Sequence, residues 1–485
     1  MPELDPNRWR ALAVICAAFF MTILDVSIVN VALPSIGRSL HFSQANLQWV
    51  ITAYAITFGG FLLLGGRAAD LFGRRRTFLV GVGVFTAASF VCGLSSSEAV
   101  LIAARAVQGL GAAIISPAAL SIVMTTFEEG AERNKALGIW GAMGGSGAAA
   151  GVLFGGILTK YLGWEWIFFV NVPVGILALA LSFVLIAETR AGTGEQRLDL
   201  TGLLTSSAGL LALVYGLIEA NKYGWSSGTI LTLFAAAALL LAGFVVLERH
   251  KRHAMLDLRL FAKRTFAGAN IAALLVSLAM FGIFFFVSIY MQNILGYSPV
   301  HTGVIFLPMT VLVVVSAPLA GKATDLIGPR WPITVGMLLL TASLLSFSRL
   351  GVHASFSDLL PGMMIGGVGI GIAMGPMTAA ALSTASIDEA GVVAGVITTS
   401  RQVGGALGVA LMGAIVAAAE TVSPGDPRFP LQFVHGFQHA LETGAAITLV
   451  GAIAAALLVH DTPQAAARRS RAVQRELAAV SGPPR

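Results

Sequence analysis

Asp25 lies inside the first long apolar run of the chain, residues 11–33, within the stretch MTILDVSIVNVALPSIGR. An ionised side chain at the centre of a lipid bilayer costs at least ~2.5 kcal/mol on insertion scales, so a carboxylate at this place needs a partner or a function. A buried carboxyl group can bind and release protons near neutral pH, or it can be a structural group satisfied by Asn30, Ser27 or water. We expect the proton-carrying role.

Arg105 lies inside another apolar run, residues 99–122. A guanidinium group keeps its proton in proteins, so Arg105 cannot carry the proton itself. Its positive charge can change the proton affinity of Asp25 according to the distance between them, or it can bind backbone carbonyls and brace neighbouring helices. The two roles are compatible, and we predict that Asp25 and Arg105 form the proton-coupling pair.

A short loop motif occurs twice, as GGRAADLFGRRRTF at 65–78 and as AGKATDLIGPRW at 320–331. Both copies have the order Gly–Asp–Gly–Arg at nearly equal spacing. The residues are Gly66, Asp70, Gly73 and Arg74 in the first copy, and Gly321, Asp325, Gly328 and Arg330 in the second. A repeat at matching places in two halves of a membrane protein is typical of transporters built from internal repeats.

The aspartates of this motif can accept hydrogen bonds from the N-terminus of a neighbouring helix, whose dipole favours an anion. Such a contact can hold two bundles of helices together on one face, so we predict that the motif residues form a gate. Arg401 is assigned to this gate as a partner of Asp70. The alternative is that its side chain extends toward the membrane surface, and the basic loops can also simply fix the orientation in the membrane.

The composition is that of a polytopic membrane protein. The 485 residues are 56% hydrophobic and only 11% charged, with a mean hydropathy of +0.84, whereas soluble domains contain about 25% charged residues. Both cysteines fall in apolar runs, which argues against a disulfide framework. The net charge of +6 lies mainly in the loops of one side, so a nucleic-acid partner is not predicted.

Fourteen apolar runs are long enough to cross a bilayer core, which needs ~20 residues per helix. When the N-terminus is placed in the cytoplasm, the loops on that side contain 23 Lys and Arg residues and the external loops contain 5. This bias predicts that both termini are cytoplasmic. The runs lie at about 11–33, 47–65, 77–95, 99–122, 136–158, 166–187, 201–219, 228–247, 267–291, 302–321, 331–348, 358–382, 393–417 and 441–459.

The order of the runs predicts four segments. Residues 1–190 form a first six-helix bundle, and residues 191–266 contain two additional helices followed by a basic segment that lies on the membrane surface. Residues 267–460 form a second six-helix bundle, and residues 461–485 form a cytoplasmic tail.

The fifth run is rich in glycine. Glycines four residues apart let two membrane helices approach closely, because no side chain separates their backbones. We therefore predict a helix-packing role for Gly147, Gly151, Gly155 and Gly156.

These stretches together resemble the major facilitator superfamily, and in particular its fourteen-helix drug:proton antiporter branch. The resemblance covers nearly the whole chain. Val152 and Glu165 depart from the pattern, since the family usually has proline and arginine at these places. The resemblance is carried by both loop motifs, by Asp25, Asn30, Ala32 and Pro34, and by LIAARAVQGLGAA (101–113), GSGAAAGVLFGG (145–156), WEWIFFVNVPVG (164–175), GYSPVHTGVIFLP (296–308) and RQVGGALGVA (401–410).

The resemblance implies an all-α fold of two six-helix bundles with two extra central helices. It implies a monomer in the cell membrane that exports lipophilic or cationic compounds in exchange for protons by alternating access. The partners are then protons and a small-molecule substrate, without a cofactor, a metal or a nucleic acid. The alternatives are a dedicated proton-coupled exporter of a single metabolite or lipid and an importer, of which the glycine-rich fifth run disfavours the importer.

Four residues are candidates for lining a substrate cavity: Asn30, Trp140, Tyr290 and Gln292. Adaptable, aromatic surfaces suit varied ligands, although such residues more often face lipid or a neighbouring helix. An enzyme or an ATP-driven pump is not predicted. The sequence contains neither a His-Glu-x-x-His pair, a serine nucleophile elbow nor a phosphate-binding G-x-x-x-x-G-K-[ST] loop.

Overall fold

The computed structural model describes residues 6–42, 47, 49–128, 130–189, 199–251, 256, 258–385, 389–419 and 426–460. Within these ranges the chain is almost entirely helical and contains no β-strand, which confirms the predicted all-α class. Fourteen long helices follow one another: α1 (Arg8–Ser39), α2 (Trp49–Phe72), α3 (Arg74–Gly93), α4 (Glu98–Thr126), α5 (Ala131–Tyr161), α6 (Asn171–Leu185), α7 (Leu200–Tyr223), α8 (Gly228–His250), α9 (Arg264–Gly282), α10 (Leu307–Ile327), α11 (Arg330–Phe347), α12 (Phe356–Leu382), α13 (Ala390–Ala419) and α14 (Phe429–Leu458).

Shorter helical pieces connect or extend the long helices. A single turn precedes α6, and a 3₁₀ helix precedes α9. After α9 the helix continues through a π-helical turn, and a short helix stands before α10. These pieces are Trp166–Phe169, Leu258–Ala262, Ile283–Val287 with Ser288–Asn293, and Pro299–Ile305.

Polar side chains fix where several helices begin. Asp199 accepts a hydrogen bond from the backbone N–H of Gly202 at 2.9 Å, at the start of α7. At the start of α12, the Asp358 carboxylate accepts from the backbone N–H of Ser355 at 2.8 Å. The first N–H groups of a helix have no partner inside the helix, and these carboxylates supply one.

Thirteen of the described helices are long and apolar enough to cross a membrane. They coincide with thirteen of the fourteen predicted runs, and the 31-residue helix α5 lies at the remaining run, 136–158. The chain is therefore a multi-pass membrane protein with helices at all fourteen predicted places. We call the side on which α1 begins the N-terminal face. Odd-numbered helices start at this face, and even-numbered helices end there.

The helices pack as a first half, α1–α6, and a second half, α9–α14. In the first half α4 lies against α2 and α3, and α1 lies against α5 and α6. In the second half α12 lies against α10 and α11, and α13 lies against α9 and α14. The two halves meet along a seam, which is formed by α5 with α10 and α12, and by α13 with α2 and α4.

The two additional helices form a hairpin beside the seam. α7 packs on α8 and also contacts α2 and α13, and Asn221 donates a hydrogen bond to the Ala410 carbonyl of α13 at 3.0 Å. At the N-terminal face the Lys251 ammonium group lies 2.5 Å from Asp199 and ties the two ends of the hairpin together. The hairpin thus touches both halves. The predicted tail, 461–485, lies outside the described residues.

Glycines on α13 allow a close approach to α9. A Cβ atom on Gly404 would collide with the backbone carbonyl oxygen of Leu274, and one on Gly408 would collide with that of Leu278. A backbone carbonyl in a helix cannot move aside without breaking its own hydrogen bond, so these contacts require glycine.

We expect Gly404→Ala to lower the melting temperature of the purified protein, because overpacking costs ~1–3 kcal/mol. Gly243→Ala on α8 is the matched control, since a Cβ atom there meets nothing within 4 Å. The melting temperatures are measured in detergent with a thiol-independent fluorescence probe. Equal melting temperatures for the two variants would contradict the close α9–α13 contact.

Candidate functional site

Asp25 is fully buried at the centre of a hydrogen-bonded cluster in the first half. Its Oδ2 atom forms an ion pair with the Nη1 group of Arg105 on α4. Its Oδ1 atom accepts hydrogen bonds from Gln108 at 2.9 Å and from Asn171 at 3.1 Å. The cluster therefore joins three helices, α1, α4 and α6, through one carboxylate.

The local sequence explains how these partners reach the same carboxylate. Arg105 and Gln108 are three residues apart on α4 and so lie on the same face of the helix. Arg105 also donates to Gln108 at 2.7 Å and to the Val50 carbonyl at 2.9 Å. Asn171 is the first residue of α6, and it is held by a further hydrogen bond to Ser89 at 3.1 Å.

Aromatic rings enclose the guanidinium group of Arg105. Its central carbon lies 4.4 Å from the ring centroid of Tyr54 and 5.7 Å from that of Phe168. Tyr54 donates in turn to the Thr22 carbonyl at 3.2 Å, which ties α2 to α1 near Asp25. Because both charges are removed from water, loss of one partner leaves an uncompensated buried charge, which costs ~3–5 kcal/mol.

The structure corrects the polar neighbours expected for Asp25. Asn30 is exposed and donates to the Val26 carbonyl, and Ser27 donates to the Leu24 and Gly147 carbonyls. Neither is bonded to Asp25. Its neutral partners are Gln108 and Asn171, and sequence reasoning gave neither of them a role. Both are polar residues inside apolar runs, which is the signal that could have found them.

The glycines of α5 lie against α1 close to this cluster. A Cβ atom on Gly147 would come within 2.8 Å of the Ile23 side chain, and one on Gly155 within 2.9 Å of the Ile28 carbonyl. Gly151 faces Ser27 and the Leu24 carbonyl. Gly156 lies on another side of the helix, where an added Cβ atom would meet the Val300 side chain of the second half. α5 continues through this region without a break, and the side chain of Val152 lies outside the described residues.

The first loop motif connects the two halves at the N-terminal face. The Asp70 carboxylate, near the end of α2, accepts hydrogen bonds from the backbone N–H groups of Gly391 and Val392, both at 3.0 Å. These groups belong to the first turn of α13, where the helix dipole favours an anion. Gly66 makes the approach feasible, because a Cβ atom there would collide with the Gly391 carbonyl oxygen.

Arg74 supports this contact from within the first half. It is buried, its Nη2 atom lies 3.5 Å from Asp70, and its Nε group donates to Ser121 at 2.7 Å. Gly73 stands between α2 and α3 with a backbone φ of 101°. Residues that carry a side chain rarely adopt this conformation. The motif thus makes a sharp turn and orients Asp70 with a neighbouring cation.

The second copy of the motif makes the related contact on the other side of the seam. Asp325, near the end of α10, accepts a hydrogen bond from the Asn134 side chain in the first turn of α5 at 2.6 Å. A Cβ atom on Gly321 would come within 2.9 Å of the Asn134 carbonyl oxygen. We call the Asp70 and Asp325 contacts the two latches. Both cross the seam at the N-terminal face.

The predicted pairing of Asp70 with Arg401 is wrong. Arg401 is eleven residues beyond the start of α13, about 16 Å along the helix, whereas Asp70 binds the start itself. The guanidinium carbon of Arg401 lies 5.5 Å from the ring centroid of Trp140, and that ring stacks on Phe19 with 4.3 Å between centroids.

The predicted lining residues do not form one surface. Trp140 is buried at the seam. Tyr290 is buried inside the second half, where it stacks on Phe437 and donates to the Gly351 carbonyl at 2.5 Å. Gln292 donates to Ser288 at 3.0 Å. Tyr290 is therefore a packing residue of the second half rather than a neighbour of Trp140.

Sequence reasoning also missed Glu188, which follows α6. Its carboxylate accepts hydrogen bonds from the backbone N–H groups of Arg75 and Arg76, both at 3.2 Å. Glu188 therefore binds the N-terminus of α3, as Asp70 binds that of α13. The signal in the sequence is an acidic residue at the end of an apolar run. The backbone N–H groups at the start of a neighbouring helix can attract such a carboxylate.

We expect Asp70→Asn to open the N-terminal face. The variant loses a charge-assisted contact of ~1.5–3 kcal/mol, so the open population rises by about ten-fold or more. Spin labels at the exposed positions Ala131 and Lys322, in a background with both buried cysteines replaced by alanine, report the distance across the seam. Asp426→Asn is the control. An unchanged distance distribution in Asp70→Asn would show that this latch does not hold the face shut.

Comparisons with known proteins agree with this architecture. Residues 15–409 match the family model described as Major Facilitator Superfamily. The chain is 40% identical over 471 residues to the puromycin resistance protein of Streptomyces alboniger, covering 95% of this chain and 93% of that protein. It is 36% identical over 415 residues to the tetracenomycin C resistance and export protein of Streptomyces glaucescens, covering 86% of this chain and 77% of that protein.

A solved structure has the same fold. The human organic anion transporter MFSD10 (TETRAN) superimposes with a TM-score of 0.65 over 93% of this chain and 99% of that chain, at 14% sequence identity. At this identity the likeness concerns the fold alone. The family match over most of the sequence and the relatives of 36% and 40% identity carry the assignment: the chain belongs to the Major Facilitator Superfamily.

Proposed function

We propose that this transporter exports drug-like small molecules in exchange for protons, and that Asp25 is the group that carries the proton. The export of drugs follows from the relatives, which include antibiotic resistance and export proteins. The observation that supports the role of Asp25 is its complete burial in an ion pair with Arg105 inside the membrane-crossing helices. The substrate leaves chemically unchanged.

Protonation would change the cluster in a defined way. A neutral Asp25 carboxyl no longer attracts Arg105 as an ion, and it has one acceptor site fewer for Gln108 and Asn171. The connection of α1 to α4 and α6 is then weaker. Uptake of a proton therefore favours a movement of α1 relative to the other two helices, and release of the proton favours the arrangement seen here.

A path of direct contacts leads from Asp25 to the Asp325 latch. α1 packs closely on the glycine face of α5, and α5 carries Asn134, the partner of Asp325. A shift of α1 therefore displaces the first turn of α5, where one latch is made. We propose that this coupling lets the proton bound at Asp25 decide whether the N-terminal face is shut.

The proposed orientation assigns the latched face to one side of the membrane. The bias of Lys and Arg supports the N-terminal face as the cytoplasmic face, so the arrangement with both latches made is closed toward the cytoplasm. In this orientation a proton arrives from outside, and the substrate is released there before the cytoplasmic side opens again. We propose a monomer in the cell membrane with both termini in the cytoplasm.

The test uses proteoliposomes with an imposed pH gradient. We expect wild-type protein to move lipophilic dyes against their concentration gradient and Asp25→Asn to lose this movement, because asparagine cannot bind the coupling proton. Binding of dye by the variant, measured by fluorescence anisotropy, is expected to persist.

Glu442→Gln is the matched control, since it removes a carboxylate that is exposed on α14. It should move dye as the wild type does. Uphill movement by Asp25→Asn at the wild-type rate would contradict the proposal, since the coupling proton would then bind elsewhere.

A further inference from the structure

Arg401 is a buried cation at the seam without a described counter-ion. Its side chain is only 8% exposed, and its one contact in the described part of the chain, apart from packing, is the face of the Trp140 ring. The other two arginines that are buried within the described ranges are different. Arg74 and Arg105 each lie next to an aspartate and donate to further acceptors.

Trp140 brings a second unsatisfied donor to the same place. It is 1% exposed, and among the described residues its indole N–H has no hydrogen-bond partner. Indole and guanidinium groups donate hydrogen bonds and cannot accept them. Two side chains from opposite halves therefore present donors at one point of the seam, and only a group that accepts hydrogen bonds can satisfy them.

This point lies deep among the helices that cross the membrane. Phe19, Trp140 and Arg401 lie 11, 9 and 11 residues beyond the starts of α1, α5 and α13, which is about 14–16 Å from the N-terminal face. An arginine at such a depth is costly unless it is paired. Contact with one aromatic ring offsets part of this cost. An anion bound to the guanidinium group would offset the remainder.

No other described carboxylate is placed to supply that anion. Asp25 is bound by Arg105, Gln108 and Asn171. Asp70 is engaged at the start of α13. Glu219 is buried, but it lies near the far end of α7, 3.6 Å from Lys222.

We propose that Arg401 and Trp140 bind the anionic or strongly accepting group of the exported compound, such as a carboxylate, phenolate or polarised carbonyl. This assignment rests on the proposed export function and narrows its substrates. The sequence suggested lipophilic or cationic compounds. The paired donors instead select apolar compounds that carry an acidic or acceptor group, and they disfavour cations by like-charge repulsion.

The position at the seam gives this site a role in the transport cycle. Arg401 belongs to the second half, and Trp140 and Phe19 belong to the first half. A ligand that accepts from both donors therefore bridges the halves. A ligand that enters while the N-terminal face is open therefore favours closure of that face, because closure brings both donors onto it.

Two dyes with the same ring system and opposite charges test the proposal. Fluorescein is an anion at neutral pH, and rhodamine 123 is a cation. Binding is measured by fluorescence anisotropy on the full chain in lipid nanodiscs. We expect wild type to bind fluorescein about ten-fold more tightly than rhodamine 123, because a hydrogen bond to a charged group is worth about this factor or more.

Variants separate a ligand contact from a structural role. Arg401→Met should weaken fluorescein binding by about ten-fold or more, while rhodamine 123 binding stays the same or improves. Arg401→Lys keeps the positive charge and should therefore retain most of the fluorescein affinity. Trp140→Phe removes the indole N–H alone and should weaken fluorescein binding, which keeps the test available if Arg401→Met does not fold. Arg428→Met, in an exposed ion pair with Asp426, is the control and should change neither affinity.

Tighter binding of rhodamine 123 by wild type, absence of fluorescein binding, or an equal loss of both dyes in Arg401→Met would overturn the assignment. Gradient-driven transport is measured separately on the dye that binds. If the binding pattern holds and the pH gradient drives no transport, the proposed function fails and the site stands. If transport is driven and the binding pattern is absent, the site fails and the function stands.

Discussion

An ion pair without access to bulk water is the constraint on which the rest of this structure depends. The charges of Asp25 and Arg105 lie among helices that cross the membrane, where either charge alone would be severely destabilising. Their neighbours are arranged to satisfy the pair: Gln108 and Asn171 donate to the carboxylate, and the Val50 carbonyl accepts from the guanidinium group. A cluster of this kind is sensitive to one proton, because protonation of the carboxyl group changes both its charge and its hydrogen bonds.

The same principle, a carboxylate that meets unsatisfied donors, recurs at the N-terminal face. Asp70 and Glu188 each bind two backbone N–H groups at the start of a helix, and Asp325 binds the side chain of Asn134 in the first turn of α5. Glycines at 66 and 321 let the partner helices come close enough for these contacts. At the N-terminal face the two halves are thus joined by short polar contacts, in addition to the helix packing along the seam.

Much of this arrangement could be predicted from the sequence, for physical reasons that are visible in particular residues. Charges in apolar runs are rare and must find partners, so the contact between Asp25 and Arg105 follows from their types. The loop motif predicted that an aspartate binds a helix start, and Asp70 does so. The sequence did not tell which helix supplies that start, because the choice of α13 depends on how the halves meet. For the same reason Arg401 was assigned to the wrong partner.

Other features could not be predicted because they depend on three-dimensional neighbours. Asn171 and Gln108 are ordinary polar residues until α4 and α6 bring them to Asp25. Tyr290 is a plausible lining residue by type, but α14 covers it with Phe437. The contact of Arg401 with Trp140, whose indole N–H has no partner among the described residues, becomes evident only when residues from opposite halves are seen together. In each case the residue type was informative and the location had to come from the structure.

The most direct test of the central claim is the protonation of Asp25 itself, observed by infrared difference spectroscopy of the full chain in lipid as the pH is lowered through the range in which a proton gradient drives export. If Asp25 carries the coupling proton, a protonated carboxyl band appears in the wild-type protein and is absent from Asp25→Asn. The result that would contradict it is a carboxylate that remains ionised throughout this range, with identical difference spectra for the wild type and Asp25→Asn.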